Sequence, residues 1–120
     1  MDAIHNTVGT LVVLAYLVLT VLHLLGANGR SFSWVRPLSF AAAGLLLLQY
    51  VLGFSLLGSG YRNAGSHYAF ALLALVTVGM EHGYAGTRDT PRARHLAGAL
   101  ATGLTFLLVV VAYIIGQSNG

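Results

Sequence analysis

The 120-residue sequence has no cysteine, no lysine, two prolines, one tryptophan and three acidic residues. Without cysteine there is no disulfide framework, no thiolate metal site and no covalent haem attachment of the c type. Charged residues make up 8% of the chain, against about 25% in an average soluble domain. So little charge cannot cover the surface of a water-soluble globule of this size. An ordinary soluble domain and a disordered tail are therefore excluded. The six basic residues are all arginine, and the net charge is +3. They are scattered through an apolar chain rather than gathered on a polar domain, which argues against nucleic acid as a partner.

What is present is apolar. Hydrophobic residues reach 57% and mean hydropathy is +0.79. A bilayer core needs roughly 20 apolar residues per helix, and four stretches qualify. Thr7 to Leu25 is broken only by Thr7, Thr10, Thr20 and His23, and Leu38 to Leu57 only by Ser39, Gln49 and Ser55. Tyr68 to Met80 is shorter, and extends if His67 and Glu81-His82 form its ends; Leu96 to Ile115 holds Thr102 and Thr105 alone. Backbone groups in lipid must be satisfied within the segment, so these spans are helices. The expected bounds are residues 3–25, 37–57, 66–83 and 94–116. The first span lacks the basic n-region of a signal peptide and starts instead with Asp2.

The joining segments are short and rich in Gly, Ser, Asn and Arg, and Pro37 suits the first turn of the second helix. Short links make neighbouring helices antiparallel. The expected fold is all-α, a single domain over residues 1–120, forming an integral membrane up-down four-helix bundle in contact with the lipid bilayer. Arg30, Arg36, Arg88, Arg92 and Arg94 lie in the first and third loops, and Arg62 stands alone in the second. That asymmetry places loops one and three in the cytoplasm and both termini outside, in the cell (inner) membrane. Small residues open the second helix (Ala41 to Gly44) and the fourth (Ala97 to Gly103), which favours close helix approach at that end.

Five histidines accompany three acids, all at or near span ends. His5 and His67 fall on the outer side; His23, His82 and His95 fall on the inner one. His5 and His23 are 18 residues apart, five whole turns, and so share a face about 27 Å long. His67 and His82 differ by 15 residues, an offset of about 60°. If helices 1 and 3 are diagonal, His5 faces His67 and His23 faces His82. Two imidazoles on facing helices hold a b-type haem in a bundle. A flat macrocycle needs small neighbours, and Gly9 and Ala71 sit four residues after His5 and His67 on the same faces. Arg62, just before His67, has the fork geometry that pairs with propionates. The expectation is haem b with iron bound by His5 and His67, and a second haem between His23 and His82. His95, beside Arg94, reads as an interfacial side chain.

Other sites are less well formed. Glu81, His82 and His23 could supply two histidines and one carboxylate to a metal. Adjacent helix positions diverge by about 100°, so Glu81 is expected to pair with a loop arginine instead. No Ser-His-Asp set, phosphate loop or HExxH pattern occurs. Gln49 is the strongly polar group at mid-span, and no acid lies there, unlike an ion path.

The run Leu48-Gln49-Tyr50-Val51-Leu52-Gly53, then Ser55-Leu56-Leu57-Gly58-Ser59-Gly60, then His67-Tyr68-Ala69-Phe70-Ala71-Leu72-Leu73 resembles haem A synthase. In that family a Gln-x-x-x-Gly helix leads through a Gly-rich outer loop to a helix opening with a haem-ligand histidine. Ile4-His5-Asn6 resembles the segment carrying the family's other ligand. The resemblance covers about half the chain, and the family has eight helices where this chain has four. It implies a half-size haem-binding bundle that passes electrons or senses haem, with His5 and His67 as ligands. The expected function is thus a small membrane b-type cytochrome for electron transfer, exchanging electrons with a quinone or redox protein. It would act as a homo-oligomer or as a subunit of a redox complex, rather than as a standalone enzyme. The alternative is a cofactor-free accessory subunit of a respiratory or photosynthetic complex. A reporter fused to the C-terminus is expected to be active outside the cytoplasm; cytoplasmic activity would reverse the orientation.

Overall fold

The computed structural model describes residues 2–119, with side chains from 3 to 118. Four helices account for nearly all of it: α1 (Asp2–Ala27), α2 (Val35–Gly58), α3 (Gly65–Gly83) and α4 (Pro91–Asn119). One 3-10 turn, Ala85–Thr87, precedes α4, and no strand occurs among the described residues. All four helices are long and apolar enough to cross a membrane. The bundle measures 48 × 21 × 20 Å, longer than the roughly 30 Å hydrocarbon core.

The helices match the expected spans and run somewhat longer, for identifiable reasons. Both α1 and α2 end in the same hydrogen-bonded closure, with a glycine in the left-handed region. After α1, Arg30 N–H donates to Leu25 O and Gly29 N–H to Gly26 O, with Gly29 at φ 94°. After α2, Tyr61 N–H donates to Leu56 O and Gly60 N–H to Leu57 O, with Gly60 at φ 96°. A side chain at either glycine would be strained there. At the start of α4, Thr90 Oγ1 accepts from Ala93 N–H at 3.1 Å and Pro91 takes the first helical position. That cap starts α4 three residues before the expected bound.

Packing follows one spacing. Inward positions on α1 are His5, Gly9, Val12, Tyr16, Leu19, His23 and Gly26; on α4 they are His95, Gly98, Thr102, Thr105, Val109, Ala112 and Gly116. Steps of three and four keep one seam facing the partner helix, as in other antiparallel bundles. Helix α1 packs on α2 and α4, and α4 packs on α3. The order around the bundle is therefore α2, α1, α4, α3, which puts α1 and α3 on a diagonal. Helices α2 and α3 are not closely packed.

Buried threonines belong to this seam. Thr102 and Thr105, both fully buried, donate to the α4 carbonyls of Gly98 and Ala101. Each also meets a hydroxyl across an interface, Thr20 at 3.1 Å and Thr77 at 2.6 Å. Such bonds satisfy the hydroxyls and add about 0.6 kcal/mol each to helix association in lipid.

Backbones approach closest where histidines meet glycines. A Cβ on Gly98 would lie 2.6 Å from His23 Cε1, whereas one on Gly44 would meet nothing within 4 Å. Gly98→Ala is therefore expected to destabilise the bundle by about 1–3 kcal/mol. Gly44→Ala should be neutral or slightly stabilising, both measured by reversible unfolding in mixed detergent.

Candidate functional site

The ends of the bundle are distinct. One carries both termini and the α2–α3 loop; the other carries the α1–α2 and α3–α4 loops. At the termini end lies a cavity of about 390 Å³ reached by residues of all four helices. This volume is in the range of small-molecule and cofactor sites. His5 and Gly9 reach it from α1, Gln49, Tyr50 and Gly53 from α2, His67 and Ala71 from α3, and Tyr113 and Gly116 from α4. Four of the residues singled out from the sequence, His5, His67, Gly9 and Ala71, thus share one cavity.

Each imidazole there lies against a glycine of a neighbouring helix. A Cβ on Gly53 would stand 3.3 Å from His5 Cε1, and one on Gly116 would stand 3.0 Å from His67 Cε1. His67 Nδ1 is 2.7 Å from the carbonyl of Ala112. A ring N–H must donate there, which fixes the tautomer and leaves Nε2 with its lone pair, the state a metal requires. His5 Nε2 is 3.3 Å from the side-chain nitrogen of Gln49. Gln49 in turn lies next to Gly9, where a Cβ would come within 2.9 Å of its amide. Gly9 therefore makes room for Gln49, in addition to lining the cavity.

Arg62 does not line this cavity. It is exposed, and its guanidinium donates to Leu57 O at 2.7 Å and to Tyr61 O at 3.0 Å, closing the end of α2. Tyr50 was not singled out from the sequence as a site residue, yet it ties the cavity together. Its hydroxyl donates to Ala71 O at 2.5 Å, across the α2–α3 gap. The side chain of Asp2 lies outside the described residues.

The two-loop end holds the remaining histidines. His23 Nδ1 and His95 Nδ1 are 3.1 Å apart. The pair is reciprocal: His23 lies over Gly98 of α4, and His95 lies over Gly26 of α1. The sequence carries this as a repeated His-x-x-Gly, His23 to Gly26 and His95 to Gly98. His95 is half-buried and paired, and so differs from the expected interfacial side chain.

Glu81 also departs from expectation. It is 7% exposed, and its ion-pair contacts are with His23 at 3.9 Å and His82 at 3.6 Å, not with a loop arginine. Ser39 Oγ–H donates to its Oε2 at 2.5 Å and lies 3.3 Å from His82 Nε2. The α3 geometry turns Glu81 inward while His82 beside it remains exposed and stacks near Phe40. His23 and His82 thus approach one carboxylate from two sides, and the structure does not bring them to a shared cavity as the ligands of a second haem: the His23 ring lies against Gly98, with Nδ1 on His95 and Nε2 towards Glu81. Among the described residues no group of three or more His, Asp or Glu is placed to hold a metal ion. The arginines of this end close backbone ends: Arg92 donates to Ala27 O at 2.7 Å and Arg94 to Arg88 O at 3.0 Å. His23 Nε2, Glu81 Oε1 and Tyr16 Oη are buried and make no hydrogen bond within the protein. Each such atom costs about 1–3 kcal/mol when left without a partner.

No family model matches the chain, and neither a curated protein nor a solved structure matches it. Because Tyr50 spans the α2–α3 gap, Tyr50→Phe is expected to lower unfolding stability by about 0.6–1.7 kcal/mol. It should also increase hydrogen exchange at α2 and α3 before α1 and α4.

Proposed function

We propose that the protein is a small integral membrane b-type cytochrome. In this reading His5 and His67 would hold haem b in the cavity at the termini end. The observation that carries it is the convergence of both histidines on one cavity, with His67 Nδ1 bonded to Ala112 O and each ring backed by a glycine. The donor set fits the group: two imidazoles from diagonal helices, small residues Gly9 and Ala71 at the expected places, and aromatic walls from Tyr50 and Tyr113. Bound there, haem would supply one-electron chemistry.

The protein's own residues divide the remaining work. Ala112 O holds the His67 ring and its tautomer, and raises the basicity of Nε2. Gln49 approaches the corresponding nitrogen of His5 and would have to release it for His5 to serve as a ligand. Apolar Val12, Leu46 and Val109 lie at the floor of the cavity and keep water from its deep side. A quinone or a redox protein is the proposed electron partner. The arginine asymmetry supports placing the chain in the cell membrane with loops one and three cytoplasmic. Self-association or membership of a redox complex would bring the partner to the cavity.

A second reading, a cofactor-free accessory subunit, is favoured by one observation. Arg62 and Gln49 already have protein partners at Leu57 O and His5. An absorption spectrum with a pyridine haemochrome assay separates the two. Protein purified after expression with ample haem should show a Soret band. His5→Ala and His67→Ala should each abolish it, and His95→Ala should leave it in place. A colourless, fully folded wild type would overturn the cytochrome reading.

A further inference from the structure

The carboxylate of Glu81 plays no part in the cavity at the other end. It is buried at a helix end of a membrane-spanning bundle, where an ionised group is costly unless it is paired or takes up a proton. Every helix brings a group to it or to its immediate partner. From α1 comes His23, 3.9 Å away; from α2, the Ser39 hydroxyl; from α3, His82 at 3.6 Å. From α4 comes His95, bonded to His23 through the two Nδ1 atoms. Tyr16, one face with His23 on α1, is the remaining titratable group, and Arg94 is adjacent to His95 in sequence. No arginine forms an ion pair with Glu81 among the described residues.

With neutral imidazoles and an ionised Glu81, this cluster carries one negative charge and no cation. A single proton makes it neutral. The atoms are arranged to take one. The His23–His95 contact has two ring nitrogens facing each other, so one of them must carry hydrogen and the other accept it. The opposite nitrogen of His23 is 3.9 Å from Glu81 Oε2, longer than a direct hydrogen bond by about 1 Å. That nitrogen and the other carboxylate oxygen, Oε1, are both buried without a hydrogen-bond partner, so each has capacity for a proton or a new bond.

We propose that Glu81, His23 and His95 form a proton-binding site that exchanges one proton with water at the two-loop end. His95 is half-buried and His82 exposed, which gives the cluster its contact with solvent. His95 takes a proton from water at Nε2 and passes its Nδ1 proton to His23 Nδ1, so the His95 ring stays neutral. His23 then closes on Glu81, releases its Nε2 proton to a carboxylate oxygen and returns to a neutral ring. No bond between heavy atoms changes and no redox partner is needed. One turn deeper, Leu19 and Ala42 are fully buried, so exchange is with this end and not with the cavity. The proposal stands whether or not the cavity takes haem.

The test is infrared titration of the full chain in detergent, following the carbonyl stretch of protonated carboxyl groups from about pH 4 to about pH 9. With three acidic side chains in the sequence, the band lost in Glu81→Gln is assigned directly. The expected result is that this band titrates within that range. In His23→Gln its midpoint should move by about one pH unit or more, a tenfold change in proton affinity. His95→Gln, which alters the half-buried partner and leaves His23 in place, should move it in the same direction and serves if His23→Gln does not fold. A Glu81 band that never titrates, or one unmoved in the folded histidine variants, overturns the proposal. The readout needs no haem, so a colourless protein tests it equally well.

Discussion

Four histidines, each laid against a glycine of another helix, set how closely this bundle can pack. His5 rests on Gly53, His23 on Gly98, His67 on Gly116 and His95 on Gly26. Within lipid, apolar burial gives helices no drive to associate, so close van der Waals approach and interhelical hydrogen bonds must supply it. An imidazole needs space that a Cβ would occupy, and it brings two nitrogens that need partners. Glycine opposite the ring meets the first need. The second is met by Ala112 O for His67, by Gln49 for His5, and by the mutual contact of His23 and His95. The seams of α1 and α4, stepping by three and four residues, bring these contacts into register at both ends.

The same device serves two different environments. At the termini end the rings border a cavity, and their neighbours are tyrosines and amides. At the two-loop end the rings border a carboxylate. Between them lie Val12, Tyr16, Leu19, Leu46 and Ala74, a largely apolar core beside which Thr102 and Thr105 of α4 pair with hydroxyls of α1 and α3. Position along the helix, rather than residue type, separates a ligand-sized site from a charge-bearing cluster. The proposed functions differ accordingly, and neither requires the other.

Much of the fold was legible from the sequence because the chain has so few charges. Spans, loops and the antiparallel order follow from where apolar runs stop, and the shared cavity of His5 and His67 follows from their helix phase. What escaped has local causes. Arg62 looked like a ligand clamp, but a helix end with open carbonyls lay nearer. Glu81 looked like a partner for loop arginines, but it sits half a turn before the helix stops, on the inward face, while the arginines close backbone ends. His95 looked interfacial because its partner lies 72 positions earlier. The repeated His-x-x-Gly was the available clue, since a ring and a small residue one turn apart on two antiparallel helices can interlock.

The open seam between α2 and α3 bears on how the bundle moves. Helix α2 is held through α1, and α3 through α4, so the molecule consists of two hairpins joined along the single α1–α4 interface. Swinging α2 away from α3 parts no closely packed backbones, but it breaks the Tyr50–Ala71 bond at one end and the Ser39 contacts with Glu81 and His82 at the other. The bundle is therefore built like a book whose spine is α1–α4 and whose fore-edge, where α2 meets α3, is clasped by side chains alone: Tyr50 at one end and Ser39 at the other.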